Sequence, residues 1–318
     1  MSALRDAPAG EAVPALRKAL TDRVNLVIAK SAKIAAERGF RELIPDLLTA
    51  FDRLFENGAD RDPQCWGKNA LAAALRDLEH RESAPFLRGA RHVQMEPVWG
   101  SLQDTAQPLR GACLLALVAC TDITRSELFR CLVDALTEKE AVVRTEAVRA
   151  LAEMEGEEAA LLLRMKARVG DEEPQTMGQV FDALWKVEGE RALRFVAPFL
   201  ESADRAVREE AALALGATRS ASVVQMLRAA SDRTRDPQFR EVLFRGLSLT
   251  KQPEAFEFLI RLVKTGRTAD AESALEALAL HRENPEIRRV AEEAAGTKEE
   301  LRRTFERCFD QGDGRSSQ

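Results

Sequence analysis

Six leucines, Leu117, Leu151, Leu184, Leu215, Leu247 and Leu278, each end a short Ala-rich helical motif, and successive ones stand 31 to 34 residues apart. A self-similar period of that length constrains the fold more than any single residue does. Each repeat is a helix pair that cannot bury its own apolar faces, so neighbours must stack and share one continuous core. The clearest copies are Val143-Arg-Thr-Glu-Ala-Val-Arg-Ala-Leu151 and Val207-Arg-Glu-Glu-Ala-Ala-Leu-Ala-Leu215. In the first, Val143, Ala147, Leu151 and Met154 recur at intervals of four, four and three, one apolar stripe of a helix. Ala147 and Ala211 are small enough to let a neighbouring helix come close. The predicted fold is all-α, a right-handed superhelix of about eight helix pairs, with helices A and B in each pair.

Residues 1–12 read as a flexible lead, 13–310 as the helical array and the Gly- and Ser-rich 311–318 as a disordered tail. Asp62-Pro63 reads as the start of a B helix, and Thr297-Lys-Glu-Glu300 resembles a capping box that opens the last helix. The third repeat, near 81–120, breaks the pattern. Leu75, the matching position in the second repeat, lies 42 residues before Leu117. The surplus falls in a predicted loop, 92–107, between an A helix near 82–91 and a B helix near 108–120.

Ala and Leu dominate, tyrosine is absent, and alternating Val, Ile and Thr runs typical of strands are missing. The five cysteines are irregularly spaced, without a CxxC. Cys113 and Cys120 lie ~10 Å apart along one predicted helix, too far for a disulfide. A reduced, cytoplasmic setting is expected. The first residues lack the apolar core of a signal peptide, and the longest apolar run, 112–120, is too short to span a membrane. The formal charge of -5 argues against a dedicated nucleic-acid surface.

Three segments, Glu140–Gly156, Asp204–Gly216 and the looser Asp236–Leu247, resemble HEAT repeats, in particular the short bacterial kind found in phycobilisome-lyase-like proteins. The resemblance implies an α-solenoid and says little about activity. An acidic residue stands four before an arginine in each segment: Glu140 and Arg144, Asp204 and Arg208, Asp236 and Arg240. In similar HEAT proteins such side chains form a ladder between repeats, which gives these arginines a structural role.

The candidate functional stretch is the irregular repeat, because insertions in a repeat array map to loops on one face. Arg88, Arg91, His92, Gln94, Glu96 and Trp99 place cations, an imidazole, an amide, a carboxylate and an indole close together. Such a mixture suits a protein or polar-ligand contact. Cys65, at the predicted start of a B helix, is a second candidate, since a helix N-terminus can activate a thiol. Histidines are few, at 80, 92 and 281, and none has metal-ligand spacing with another ligand. No nucleophile motif, phosphate-binding loop or dinucleotide fingerprint occurs, so no catalytic residue, metal or cofactor is assigned.

The B helices of such an array usually form its concave face. Six and two residues before the register leucines, those helices carry Thr145, Glu209, Glu241 and Glu272, and Arg149, Asp182, Arg245 and Glu276. No basic stripe runs along them. The expected surface is mixed to negative, suited to a basic or amphipathic protein segment, with Arg149, Asp182, Glu209, Glu241 and Arg245 as contacts. The predicted function is a non-enzymatic scaffold that binds a protein or peptide through its concave face and residues 88–104. The alternative is a HEAT-like bilin lyase or isomerase, or a nucleic-acid-acting enzyme on the same fold.

Overall fold

The computed structural model describes residues 2–98 and 100–310. Trp99 and the expected disordered tail, 311–318, lie outside the described residues. The described chain is helical apart from one two-stranded hairpin, and it divides into two compact units between Leu162 and Leu163.

In the first unit the elements run α1 (Ser2–Asp6), α2 (Ala9–Leu20), α3 (Asn25–Glu37), α4 (Ile44–Leu54), the short α5 (Gly58–Arg61), α6 (Trp66–Asp77), α7 (Ser83–Ala90), β1 (Met95–Val98), β2 (Ser101–Asp104), α8 (Gln107–Leu117), α9 (Arg125–Leu136) and α10 (Ala141–Met154). Helices α3, α6, α8 and α10 pack one on the next as a layer of B helices. Helices α2, α4, α7 and α9 each lie on their own B helix. The predicted lead is not free: α1 and the start of α2 occupy it. The Arg38 guanidinium donates to the Arg5 and Ala7 carbonyls, and Arg5 pairs with Glu37 at 3.0 Å, which ties the segment to α3.

Helix α11 (Glu157–Val169) carries the division between the units. The second unit continues with α12 (Pro174–Glu188), α13 (Glu190–Val196), α14 (Arg205–Ala217), α15 (Ala221–Arg233), α16 (Pro237–Leu249), α17 (Pro253–Thr265), α18 (Thr268–Leu278), α19 (Pro285–Ala295) and α20 (Glu299–Phe305). Here α12, α14, α16 and α18 form the B layer, and α20, in which Leu301 and Phe305 are buried, packs on α18. The expected capping box at Thr297 is not made: Lys298 is the cap residue and no side chain bonds the helix end. A capping box does form at Thr124–Glu127, opening α9.

All six register leucines, and Leu75, are at most 1% exposed. Burying each stabilises the array by about 1.5–3 kcal/mol before conformational entropy is counted. In the second unit α14 and α16 come together at two glycines. A Cβ on Gly216 would overlap the Gly246 carbonyl oxygen, and one on Gly246 would stand 2.7 Å from the Ala212 carbonyl oxygen. Backbone therefore meets backbone, a tighter approach than the Ala211 position alone allows.

The ladder links successive repeats. Asp204 and Asp236 cap α14 and α16 through backbone N–H groups. Arg208 reaches forward to Asp236 at 3.5 Å, and Arg240 to Asp270 at 3.0 Å. Each also donates back to a carbonyl at the start of its own helix, Ser202 or Thr234. Such half-exposed pairs set register more than they stabilise.

Candidate functional site

The predicted 92–107 loop contains a β-hairpin. Its register pairs Met95 with Asp104, Glu96 with Gln103, Pro97 with Leu102 and Val98 with Ser101. Gly100 supplies the positive φ, +88°, that the tight connection needs. Residues 93–98 do alternate apolar and polar, but Pro97 interrupts the run, as an edge strand allows.

On β1 the face that turns into the protein is the polar one. Gln94 and Glu96 are 4% and 7% exposed. The Glu96 carboxylate accepts the Gln64 backbone N–H at 2.9 and 3.0 Å. The Gln94 side-chain amide donates to Glu96 at 2.5 Å and to the Asp62 carbonyl at 2.9 Å. Its oxygen faces His92 Nε2 at 3.2 Å. An amide oxygen only accepts, so His92 carries a proton on Nε2. Burial lowers the His92 pKa further into the neutral form.

Beneath this face lies an ion pair, Lys68 Nζ to Asp62 at 3.1 Å, with both side chains 0% exposed. Asp62 also accepts the backbone N–H groups of Gly67 and Lys68, and Lys68 donates to the Leu54 carbonyl. Asp62 thus opens α6 as the sequence suggests, but across a turn in which Gln64 and Cys65 adopt positive φ. Asp104, at the end of β2, accepts the Gln94 and Ala106 backbone N–H groups and binds Arg110 at 2.5 Å. Burial alone would raise its pKa, but these donors and the Arg110 charge outweigh it, and the net shift is downward. Arg110 also holds the His92 carbonyl and, at 3.0 Å, Glu138.

Lys68 and Arg110 each stand seven residues before a register leucine, Leu75 and Leu117, as Arg144, Arg208 and Arg240 do before theirs. They are the ladder cations of the second and third repeats. That spacing is the signal by which sequence reasoning could have found them.

The other face carries Asp104 on Arg110 and, beside it, three apolar side chains in the open. Val93, Met95 and Leu102 are 57%, 50% and 68% exposed. An ordinary half-buried sheet shows the reverse, apolar inward and polar outward. A cavity of about 570 Å³ runs from Val93, Met95 and Leu102 across Asp104 and Arg110 to residues 138–140. A second, of about 310 Å³, shares Val93, Arg110 and Glu138 and reaches Arg91 and Cys131.

The sequence candidates therefore separate. His92, Gln94 and Glu96 come together as the hairpin's anchor. Arg88 lies outside it, over the Phe55 ring at 4.2 Å and paired with Asp52. Arg91 is exposed beside the smaller cavity. Trp99 falls outside the described residues. Cys65 is buried, and burial pushes its thiol up to about 11, away from reactivity at neutral pH. Among the described residues no group of three or more His, Cys, Asp or Glu is arranged to hold a metal, and no helix is long and apolar enough to cross a membrane.

A family model described as HEAT repeats matches residues 163–248 and 193–279, both in the second unit. Residues 163–279 carry HEAT repeats. Among solved structures, human deoxyhypusine hydroxylase in complex with glycerol is 20% identical, over 78% of this chain and 88% of that one, at a TM-score of 0.32. An engineered protein is 17% identical over 96% and 92%, at 0.36. Kap121p bound to Pho4p is 13% identical over 96% of this chain and 38% of that one, at 0.46. No curated protein matches the chain in sequence.

Along the B helices most of the predicted contact residues pair within their own helix. Arg149 bonds Glu146, Glu209 bonds Arg205, and Glu241 bonds Arg245. Glu276 is met by Arg307 at 2.7 Å, so part of the expected acidic surface is neutralised. Burial pushes up the Asp182 and Glu210 carboxyls, and Asp182, Glu209 and Glu173 push Glu210 further.

Proposed function

We propose that the protein is a non-enzymatic scaffold that binds a protein or peptide partner on the outer face of the inserted hairpin. HEAT-repeat arrays commonly mediate protein interactions, which sets the class of function. The observation that carries the reading is the inversion of the hairpin. A buried ion pair and hydrogen-bonded carboxylates hold its polar face, while Val93, Met95 and Leu102 remain in solvent beside the 570 Å³ cavity. Exposed apolar side chains clustered on a rigid support mark interaction surfaces. Covering each would contribute about 1–2 kcal/mol to an interface. His92, Gln94 and Glu96 act here as the support, Arg91 as a rim contact. In the second unit the B-helix residues Asp182, Glu209, Glu241 and Arg245 offer a second, more polar surface for a basic or amphipathic segment, and in the first unit Arg149 is a further contact of the same kind.

The test is site-specific photo-crosslinking in the native cell. A benzophenone side chain at Met95 or Leu102 should trap a discrete protein, and the adduct should vanish when Val93 is changed to Asp. The same probe at exposed Glu254 on α17 is the control. Equal trapping from Glu254, or none from the hairpin, overturns the reading.

A further inference from the structure

We infer that the partner segment binds as an added β-strand along the outer edge of β2, which deepens the scaffold reading and rests on it. The register determines which backbone groups point outward. The Thr105 N–H donates to the Gln94 carbonyl at 2.9 Å, so residues 94 and 105 are a hydrogen-bonded pair. Pairs alternate in an antiparallel ladder. Met95 with Asp104 and Pro97 with Leu102 are then non-bonded pairs, whose backbone groups point away from the partner strand. Pro97 fits this assignment, having no N–H to offer inward.

The two edges are therefore unequal. The β1 edge presents Met95 and Pro97, and Pro97 cannot donate to a further strand. The β2 edge presents the N–H and C=O groups of Leu102 and Asp104, and among the described residues no hydrogen bond from another element reaches them. That edge borders the 570 Å³ cavity, whose far wall is residues 138–140. Arg110 holds Glu138, and Arg144 holds the Glu138 and Lys139 carbonyls at 2.8 and 2.6 Å, so the far wall is fixed. A fixed slot with a donor–acceptor edge on one side calls for extended backbone rather than a helix. Added strands place alternate side chains on each face of the sheet. One set would lie beside Leu102, on the hairpin face that also carries Met95. The occupant is an extended peptide of four or so residues with apolar side chains at alternate positions.

The probe is a peptide selected from a random nonapeptide display library on the full chain. Amide hydrogen exchange at Leu102 and Asp104 should slow on binding. Leu102→Pro removes an outward N–H but no inter-strand bond, and should weaken binding about tenfold. Leu102→Val keeps the N–H and should change it less than threefold. N-methylation of alternate peptide residues should abolish binding, and methylation of the intervening ones should not. Equal losses from Leu102→Pro and Leu102→Val, without exchange protection, would overturn strand addition while leaving the apolar face as the binding surface. Peptides that bind but protect only B-helix amides, or no edge-binding peptide at all, would overturn it too. So would protection of both amides in concentrated protein alone, which would assign the edge to a second copy.

Discussion

Lys68 and Arg208 occupy the same place in their repeats, seven residues before the register leucine, yet they live in different surroundings. Arg208 is 23% exposed and its partner Asp236 33%, at 3.5 Å across two repeats. Lys68 and Asp62 are both fully buried, at 3.1 Å within one repeat, roofed by Gln94 and Glu96. The difference is produced by the hairpin, which removes water from a pair that elsewhere stays wet. One ladder position thus does two jobs: a loose register pin in the regular array and the foundation of the insertion in the irregular one.

The sharpest way to break that comparison is to remove each cation. Lys68→Met leaves a buried carboxylate without its counter-charge and should cost about 3–5 kcal/mol in chemical denaturation. Arg208→Met should cost no more than about 1 kcal/mol. Similar losses would mean that the hairpin does not change the energetics of the pair.

The regular unit relies instead on close backbone approach. Gly216→Ala, despite the better helix propensity of alanine, should destabilise by about 1–3 kcal/mol, because the new Cβ has the Gly246 carbonyl in its way. A stabilised variant in thermal denaturation would show that α14 and α16 can separate without cost.

Smaller effects distinguish surface from support. Leu102→Ser should change stability by about 0.5 kcal/mol or less, since the side chain is already in solvent, while it lowers the yield of the photo-crosslink from Met95. A large loss of stability would place Leu102 in the fold rather than in an interface.

The smallest expected effects concern pH, and they have opposite signs in the two regions. Asp104 has a depressed pKa, so its ionised form stabilises the fold above the ordinary carboxylate range. Asp104→Asn should therefore lower the melting temperature at neutral pH, with the gap closing as acid protonates the wild type. Glu210 has a raised pKa, and its charge opposes the fold at neutral pH. Glu210→Gln should raise the melting temperature at pH 7, and this gain should shrink as pH falls toward the ordinary range. Melting curves recorded between those limits check both signs.

The sequence made the regular array legible because identical local needs recur: a buried leucine, a small residue at the contact and an arginine reaching to the next cap. The ladder arginines read as structural, and Arg208 and Arg240 bridge repeats as that reading requires. The irregular repeat was legible only as a departure. Its alternation from Val93 to Val98 has the period of a strand but the wrong face inward, so the pattern that normally finds strands points the other way. His92, Gln94 and Glu96 drew attention as polar residues in a loop. Whether such residues face solvent or anchor a hairpin depends on Asp62 and Gln64, about 30 residues earlier. No local window contains that information.

Pro97 has a consequence for how copies of this chain can associate. A sheet grows indefinitely only if every added strand leaves another open edge behind it. Each hairpin here has one edge with donors at both outward positions and one whose donors proline interrupts. Two copies joined through their β2 edges would present only the interrupted edges, the poorer templates for a further strand. The proline thus removes one of the outward donors by which an exposed, partly apolar hairpin would recruit further strands.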